Sequence, residues 1–531
     1  MDSLPQEVIN RIARFLPDAV PEPENDPYHY PSHSGRVYYS VPHWNQAGLY
    51  DWQQQEPRTQ LASYSIISTV WRYAVEEVIY KDKEITIDSD EFATFCDVFR
   101  PSQRHKSLKK LTFAIRFPRF TPPFTPQFIR DRKEATATAA MERLFRVLKS
   151  WESNMVGEGM TLLVGCIAFD HEEEDFNAHS YIESDWHIED GVYLQTTNLP
   201  ILNHVTSFQL FNDTYELFEM GGAARLSTKF PNLTDLNMRL FDNELKCWSS
   251  RRSSRHEFAR VFSNTTFPQL KTVFLDLCTD IHYNHTKRPP NLLDQHTPND
   301  QQDPVSKSIF MCLSQSQNLT SMKIKGVLDF SFWWPLSCDD SSSTPFPCLK
   351  EVEVVFDLTM PSGEWYFVGE DGNDECEEKE MAKLRIKNLN FRELVEPSRM
   401  NPFILAFAKR LAQLPALRRA ILTTGVQGGG DVHAYEFEIC YFAPGESAVH
   451  CTEFQEGDHL SASEEDSDDE EPDDDEDCRR LYLCTTEFGM KDWRPNHEAM
   501  GYFEEVGRRE YGGELMTKEF QRLPFLYGRY S

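Results

Sequence analysis

The sequence lacks any run of about eighteen consecutive apolar residues, the length a membrane-spanning helix requires. Its first residues lack the basic, then apolar, then small-residue layout of a signal peptide, which predicts a protein of the cytoplasm and/or nucleus. No C-x-x-C occurs among its 12 cysteines, so neither a zinc frame nor a disulfide scaffold is implied and the thiols read as reduced. Basic charge is scarce: 54 Lys and Arg against 85 Asp and Glu leave a net charge of -31. That balance argues against nucleic acid and against anionic membranes as partners, since both need clustered Lys and Arg. The densest basic cluster, Arg251-Arg252-Ser253-Ser254-Arg255, reads as a solvated loop.

Catalytic signatures are also missing. There is no G-x-S-x-G, H-E-x-x-H, Walker loop or G-x-G-x-x-G, and Gly428-Gly429-Gly430 lacks the GK[ST] ending that cradles phosphate. The run His171-Glu172-Glu173-Glu174-Asp175 has ligand-type residues, but consecutive residues in one loop do not converge easily on one metal. No catalytic residue, metal or cofactor is therefore assigned, and the chain is not read as an enzyme. An enzyme with an unrecognised site in the C-terminal third is the remaining alternative, and the many Asp and Glu leave room for paired carboxylates. The Asn-x-Thr triplets at Asn212, Asn232, Asn264, Asn284 and Asn318 read as ordinary turn and strand residues.

At 531 residues the chain exceeds one core and implies two or three domains. Near its start, Val8, Ile9, Ile12, Phe15 and Leu16 recur at helical spacing, with Gln6, Glu7, Asn10, Arg11 and Arg14 on the other side. Pro5 suits the first helical turn, and Ser3 with Gln6 has capping-box spacing; the two place the start one residue apart. A second apolar stretch runs from Leu61 to Tyr80. Leu4, Pro5, Ile9, Ile12 and Leu16, then Leu61, Ile67, Ser68, Trp71 and Arg72, together resemble the F-box motif. The resemblance covers roughly the first eighty residues and implies a helical module docking a Skp-type adaptor, and through it a cullin. Leu4, Pro5, Ile9, Ile12, Leu16, Leu61, Ile67 and Trp71 are the adaptor-binding residues it implies. This chain departs from the family at residues 17–60, where a long Pro-, Tyr- and His-bearing insertion separates helices that the family joins closely. That insertion reads as a loop, and its histidines lack the paired spacing of a zinc site.

After the module, Glu84–Ile87 reads as a strand and Glu91–Phe99 as a helix burying Phe92, Phe95 and Phe99. A phrase then repeats: Leu108-x-x-Leu111-x-Phe113, Leu233-x-x-Leu236-x-Met238, Leu270-x-x-Val273-x-Leu275, Leu319-x-x-Met322-x-Ile324, Leu349-x-x-Val352-x-Val354 and Leu417-x-x-Ala420-x-Leu422. A weaker copy starts at Val205. Phe230-Pro231, Phe267-Pro268 and Phe346-Pro347 open three of them, and Leu414-Pro415 opens another. Proline ends the preceding element, and the alternation that follows turns one face of a strand inward. Between phrases lie helical stripes: Met141, Leu144, Phe145, Leu148 and Trp151; Val305, Ile309, Cys312 and Leu313; and Phe403, Ile404, Phe407 and Leu411, with Asn401 placed as cap and Pro402 at the first position. Strand then helix, repeated, predicts a parallel sheet with helices outside. The phrase resembles the leucine-rich repeat, although only Cys278 falls on that repeat's Asn/Cys position and the intervals are irregular.

The last third reads differently. Tyr435, Phe437, Ile439 and Tyr441 alternate with Glu436, Glu438, Cys440 and Phe442, which predicts a half-buried strand. Residues 464–477 are almost wholly Asp and Glu, a solvated loop. Ser461, Ser463 and Ser467 each have an acidic residue three positions on, a context for acid-directed phosphorylation. Beyond the loop, Leu481-Tyr482-Leu483-Cys484 and the aromatics after Trp493 carry too much apolar surface for a disordered end, so Arg479 onward is expected to pair beside the 435–441 strand.

The expected architecture is α/β: an F-box-like helical module (1–82, loop at 17–60), an irregular, curved leucine-rich-repeat-like body (83–360), and an α+β C-terminal part (361–531) with a disordered acidic loop at 456–478. The function this implies is substrate recognition in a cullin-RING (SCF-type) ubiquitin ligase, the body holding a target protein whose identity the sequence does not name. A non-ligase interaction scaffold is the alternative.

Overall fold

In this computed structural model the described residues are 69–86, 90–117, 125–155, 157, 159–167, 191–212, 218–242, 248–278, 289–293, 302–335, 345–369, 392, 394–427, 434–446, 478–486 and 493–522. They form a mixed α/β fold in which helices and strands alternate. The first elements are α1 (Thr69–Ile79), β1 (Asp82–Thr86), α2 (Asp90–Val98), α3 (Ser102–Ser107), β2 (Lys110–Arg116), α4 (Pro126–Trp151) and β3 (Met160–Ile167). Next come β4 (Val205–Asn212), β5 (Phe218–Glu219), α5 (Met220–Ser227), β6 (Asp235–Phe241), α6 (Trp248–Ser263), β7 (Thr272–Cys278), α7 (Pro304–Leu313), β8 (Ser321–Gly326) and β9 (Glu351–Phe356). The last are β10 (Phe367–Val368), β11 (Leu394–Val395), α8 (Pro397–Leu411), β12 (Arg419–Gln427), β13 (Ala434–Phe442), β14 (Arg479–Thr486), α9 (His497–Glu505), α10 (Arg508–Tyr511) and β15 (Leu515–Arg522).

One 13-stranded sheet runs β1-β2-β3-β4-β6-β7-β8-β9-β12-β13-β14-β15, with β5 beside β6. Every pairing from β1 to β12 is parallel, so the strands need crossovers; described α-helices lie in those from β1 to β2, β2 to β3, β4 to β6, β6 to β7, β7 to β8 and β9 to β12. β13 is antiparallel to both β12 and β14. The repeated phrase sets the register. Leu236 pairs with Val273, Val273 with Met322, Met322 with Val352, and Val352 with Ala420; two residues on, Met238, Leu275, Ile324, Val354 and Leu422 line up the same way. All of these side chains are buried. Side chains alternate along a strand, so equal phrase positions in register put one apolar row after another under the helices. Burying each such side chain is worth about 1.5–3 kcal/mol.

The Phe-Pro openings act as turns. Leu270 N–H donates to Phe267 C=O at 3.1 Å and Leu349 N–H to Phe346 C=O at 3.3 Å, closing the chain just before each strand. Sequon asparagines serve these turns: Asn232 donates to Asn203 C=O at 2.8 Å and Asn318 to Pro268 C=O at 3.1 Å. The expected helices over Phe92–Phe99, Met141–Trp151 and Val305–Leu313 are present, with their stripes buried.

Three expectations are corrected. Arg251–Arg255 is not a solvated loop: it lies in α6, and residues 251 and 255, one helical turn apart, are 2% and 0% exposed. Helix α8 starts earlier than Asn401, because Glu396 caps it by accepting from Ser398 N–H and Pro397 takes the first position; Met400 then extends the buried stripe, and Pro402 sits inside the helix. Strand β13 is buried on both faces over Phe437–Phe442, since Ile421, Cys440, Phe442 and Tyr482 form a small core of their own on its second side. The return of the chain beyond the acidic run is as expected: Leu481 pairs with Tyr441 and Leu483 with Ile439.

Candidate interaction surfaces

Helix α1 carries the Trp-Arg pair of the motif. Trp71, Ala74 and Val75 are buried with Val78 and Ile79 packed on them, the spacing of one helical stripe. Arg72 and Tyr73 point away and are exposed, Tyr73 by 46%. The helix is joined to the sheet body. Glu76 accepts from Arg104 of α3 at 2.7 Å, and Arg104 also donates to Val98 C=O at 2.6 Å and lies 5.0 Å from the Tyr80 ring centre. The bond from Glu76 raises the Arg104 pKa above its ordinary value. Tyr80 packs edge-on against Phe99 at 5.3 Å, and Lys81 C=O receives the N–H groups of Lys109 and Lys110. Leu4, Pro5, Ile9, Ile12, Leu16, Leu61, Ile67 and the serines at 461, 463 and 467 lie outside the described residues, as do the 17–60 and acidic loops.

The second surface is the face of the parallel strands opposite the buried phrase positions. Its rows are mostly polar: Asn237, Lys323 and Glu353 share one row with Phe274, and Arg239, Asp276 and Lys325 are neighbours in the next. Lys323 pairs with Glu353 at 2.5 Å, while Asp276 sits between Arg239 at 3.4 Å and Lys325 at 3.9 Å. Thr272 Oγ1 donates to Asp235 at 2.5 Å. Such a face carries fixed charges of both signs on rigid strands, which suits recognition of a polar surface.

A third cluster is internal, and sequence reasoning missed it. Asp242, just past β6, accepts from Arg251 at 2.9 Å and from Arg255 at 2.5 Å; Arg255 then reaches Asp303 at 2.9 Å. Asp303 caps α7 by accepting from Ser306 N–H at 2.8 Å, and donates its own N–H to Asp329 at 3.0 Å. Ser331 donates both its N–H and its hydroxyl to Asp329. Burial pushes the Asp242 carboxyl up, but the Arg251 and Arg255 charges outweigh it and hold the pKa below the ordinary range. Burial likewise works against the Arg255 charge, yet Asp303 and Asp242 leave its pKa raised. Asp329 has no cation of its own: burial first, and the Asp303 charge second, push it up to about 7. Only Asp303-Pro304, a cap followed by proline at the first helical position, announced any of this in the sequence. These groups are buried and bond chiefly to one another, with Arg255 also donating to Val327 C=O at 3.1 Å, so the cluster holds successive strand–helix units together. Among the described residues no group of His, Cys, Asp and Glu could hold a metal ion.

No protein-family model matches the chain, and no curated protein or solved structure matches it either.

Proposed function

We propose that the chain is the substrate-recognition subunit of a cullin-RING (SCF-type) ubiquitin ligase, docking a Skp-type adaptor through its N-terminal helices and a target protein through the sheet body. The observation that carries the reading is the ordered motif over Leu4–Leu16 and Leu61–Arg72, whose described end is a helix with Trp71 inward and Arg72 outward. The body supports it. Phrases stacked in register, helices as crossovers and a polar open face fit an irregular leucine-rich-repeat-like receptor. On this reading the chain performs no chemistry; it raises the effective concentration of a target beside a charged ubiquitin carrier. Its place is the cytoplasm and/or nucleus, and among the described residues no helix is long and apolar enough to cross a membrane.

The Glu76–Arg104 joint favours one competing reading, a non-ligase scaffold whose N-terminal helices serve the body alone. Purified adaptor and full chain separate the two. Changing Ile12 and Leu16 both to Asp places charge on the apolar stripe that the motif assigns to docking. Adaptor binding is expected to vanish with an unchanged melting temperature. Undiminished binding by the double variant would sink the ligase reading.

A further inference from the structure

The residue after the first apolar position of each phrase forms a column of its own. Thr206, Thr234, Lys271, Thr320, Lys350 and Arg418 are joined by a backbone ladder, each N–H donating to the preceding carbonyl at 2.7 to 2.9 Å, and Ala443 N–H continues it onto Arg418. Lys109 holds the same phrase position, with its N–H on Lys81 C=O at 2.8 Å. The column therefore lines the rim from which the parallel strands start. It contains Lys, Arg and Thr and no acid, in a chain with 85 Asp and Glu against 54 Lys and Arg.

Lys81, Lys271 and Lys350 are exposed, and no carboxylate of the described residues pairs with them. Arg418, half-exposed, has Glu446 at 3.5 Å. With strands about 4.8 Å apart, Lys271 to Arg418 spans roughly 15 Å. Neighbouring cations stand roughly 5 to 10 Å apart along the rim, comparable with the screening length of about 8 Å in physiological salt, so an anionic chain lying alongside meets several of them within that length. We propose that this rim docks an extended acidic polypeptide stretch of a partner protein. A polypeptide fits better than nucleic acid, because threonines and not aromatic rings stand between the cations and there is no platform on which bases could stack. The inference concerns the sheet body alone and stands or falls independently of adaptor docking.

The test is fluorescence anisotropy of a labelled oligoglutamate of about ten residues, long enough for the roughly 24 Å from Thr206 to Arg418, titrated with the intact chain. Binding that weakens with salt is expected. Lys271→Glu with Lys350→Glu should weaken it at least tenfold without moving the melting temperature, and the milder Lys→Gln pair should fall between. Arg132→Glu with Arg509→Glu, exposed charges off the column, should leave it within twofold. Equal losses in the two charge-reversed pairs, or no loss in the rim pair, would overturn the proposal. So would equally tight binding of an oligothymidylate of the same charge. Failure of the intact chain to bind would overturn it as well, and if binding then appeared on removing residues 464–477, the chain's own acidic run would be the occupant.

Discussion

The parallel stretch β6–β9 and the antiparallel stretch β12–β14 belong to one sheet, yet they use their second face differently. In the first, that face carries Asn237, Lys323, Glu353 and the Arg239–Asp276–Lys325 row; in the second it is closed by Ile421, Cys440, Phe442 and Tyr482. Their buried arginines differ too. Arg251 and Arg255 are neutralised by carboxylates, whereas Arg479 of β14 donates to four carbonyls: Gly512 at 2.9 Å, Glu504 at 2.8 Å, Val506 at 2.6 Å and Gly513 at 2.5 Å. The turn it holds passes Gly507 at φ 67, where a Cβ would stand 2.2 Å from the Tyr441 hydroxyl. The contrast separates two ways of placing a cation in a core. Paired with carboxylates it links several elements at once and makes them sensitive to proton balance; bound to carbonyls it fastens one local return.

The largest expected effect breaks the first arrangement. Arg255→Met leaves Asp242 and Asp303 buried without their shared cation, a loss of about 3–5 kcal/mol, read by denaturant unfolding; a loss under about 1 kcal/mol would mean the network is incidental. Next is its pH dependence. Burial and the Asp303 charge push the Asp329 carboxyl up to about 7 in the folded chain, against an ordinary value of 3.8 for the unfolded one. Below the lower value both states are protonated and the group costs nothing. As pH rises between the two, the unfolded chain releases its proton and the folded chain keeps it, so stability falls by a few kcal/mol by about pH 7 and no further above it. Asp329→Asn, whose amide oxygen can still accept from Ser331 and which has no carboxyl proton to lose, should flatten that part of the profile. An unchanged slope in the variant would place the proton elsewhere.

Arg479→Leu should cost less, roughly 2–3 kcal/mol, with hydrogen exchange rising first in α9, α10 and β15 and with no added pH dependence; a uniform rise across the sheet would contradict a local role. Glu76→Gln should be smallest, about 1 kcal/mol or less for a partly exposed pair, with faster exchange confined to α1 and α3. If α1 exchanged no faster, the Arg104 bond would not be what joins it to the body.

Much of the sheet was legible because Leu-x-x-Leu-x-Leu couples a turn to a period of two, and the chain repeats it in register from Leu233 to Leu422. Helix stripes such as Met141 to Trp151 were legible for the same local reason. What failed was what depends on distant partners. The charge of Arg251 and Arg255 argues for solvent, whereas their four-residue spacing, continued by the buried Phe258 and Phe262 farther along the helix, carries them inward. Cys440 and Phe442 were read as the outward half of an alternation although both are apolar; only the neighbouring Ile421 and Tyr482 show that a second core closes over them. Asp329 gives no sequence signal, since the carboxylate that acts on it, Asp303, is distant in the chain. Of the residues that the motif assigns to adaptor binding, Trp71 alone lies among those described.

The central claim is that one chain carries two separable surfaces, one for adaptor and one for target. Affinity capture with the full chain as bait, beside the Ile12→Asp, Leu16→Asp double variant, tests it most directly. The account predicts that the double variant loses adaptor and cullin together while keeping its remaining partners; adaptor and cullin retained in full, or absent already from the unaltered bait, would contradict it.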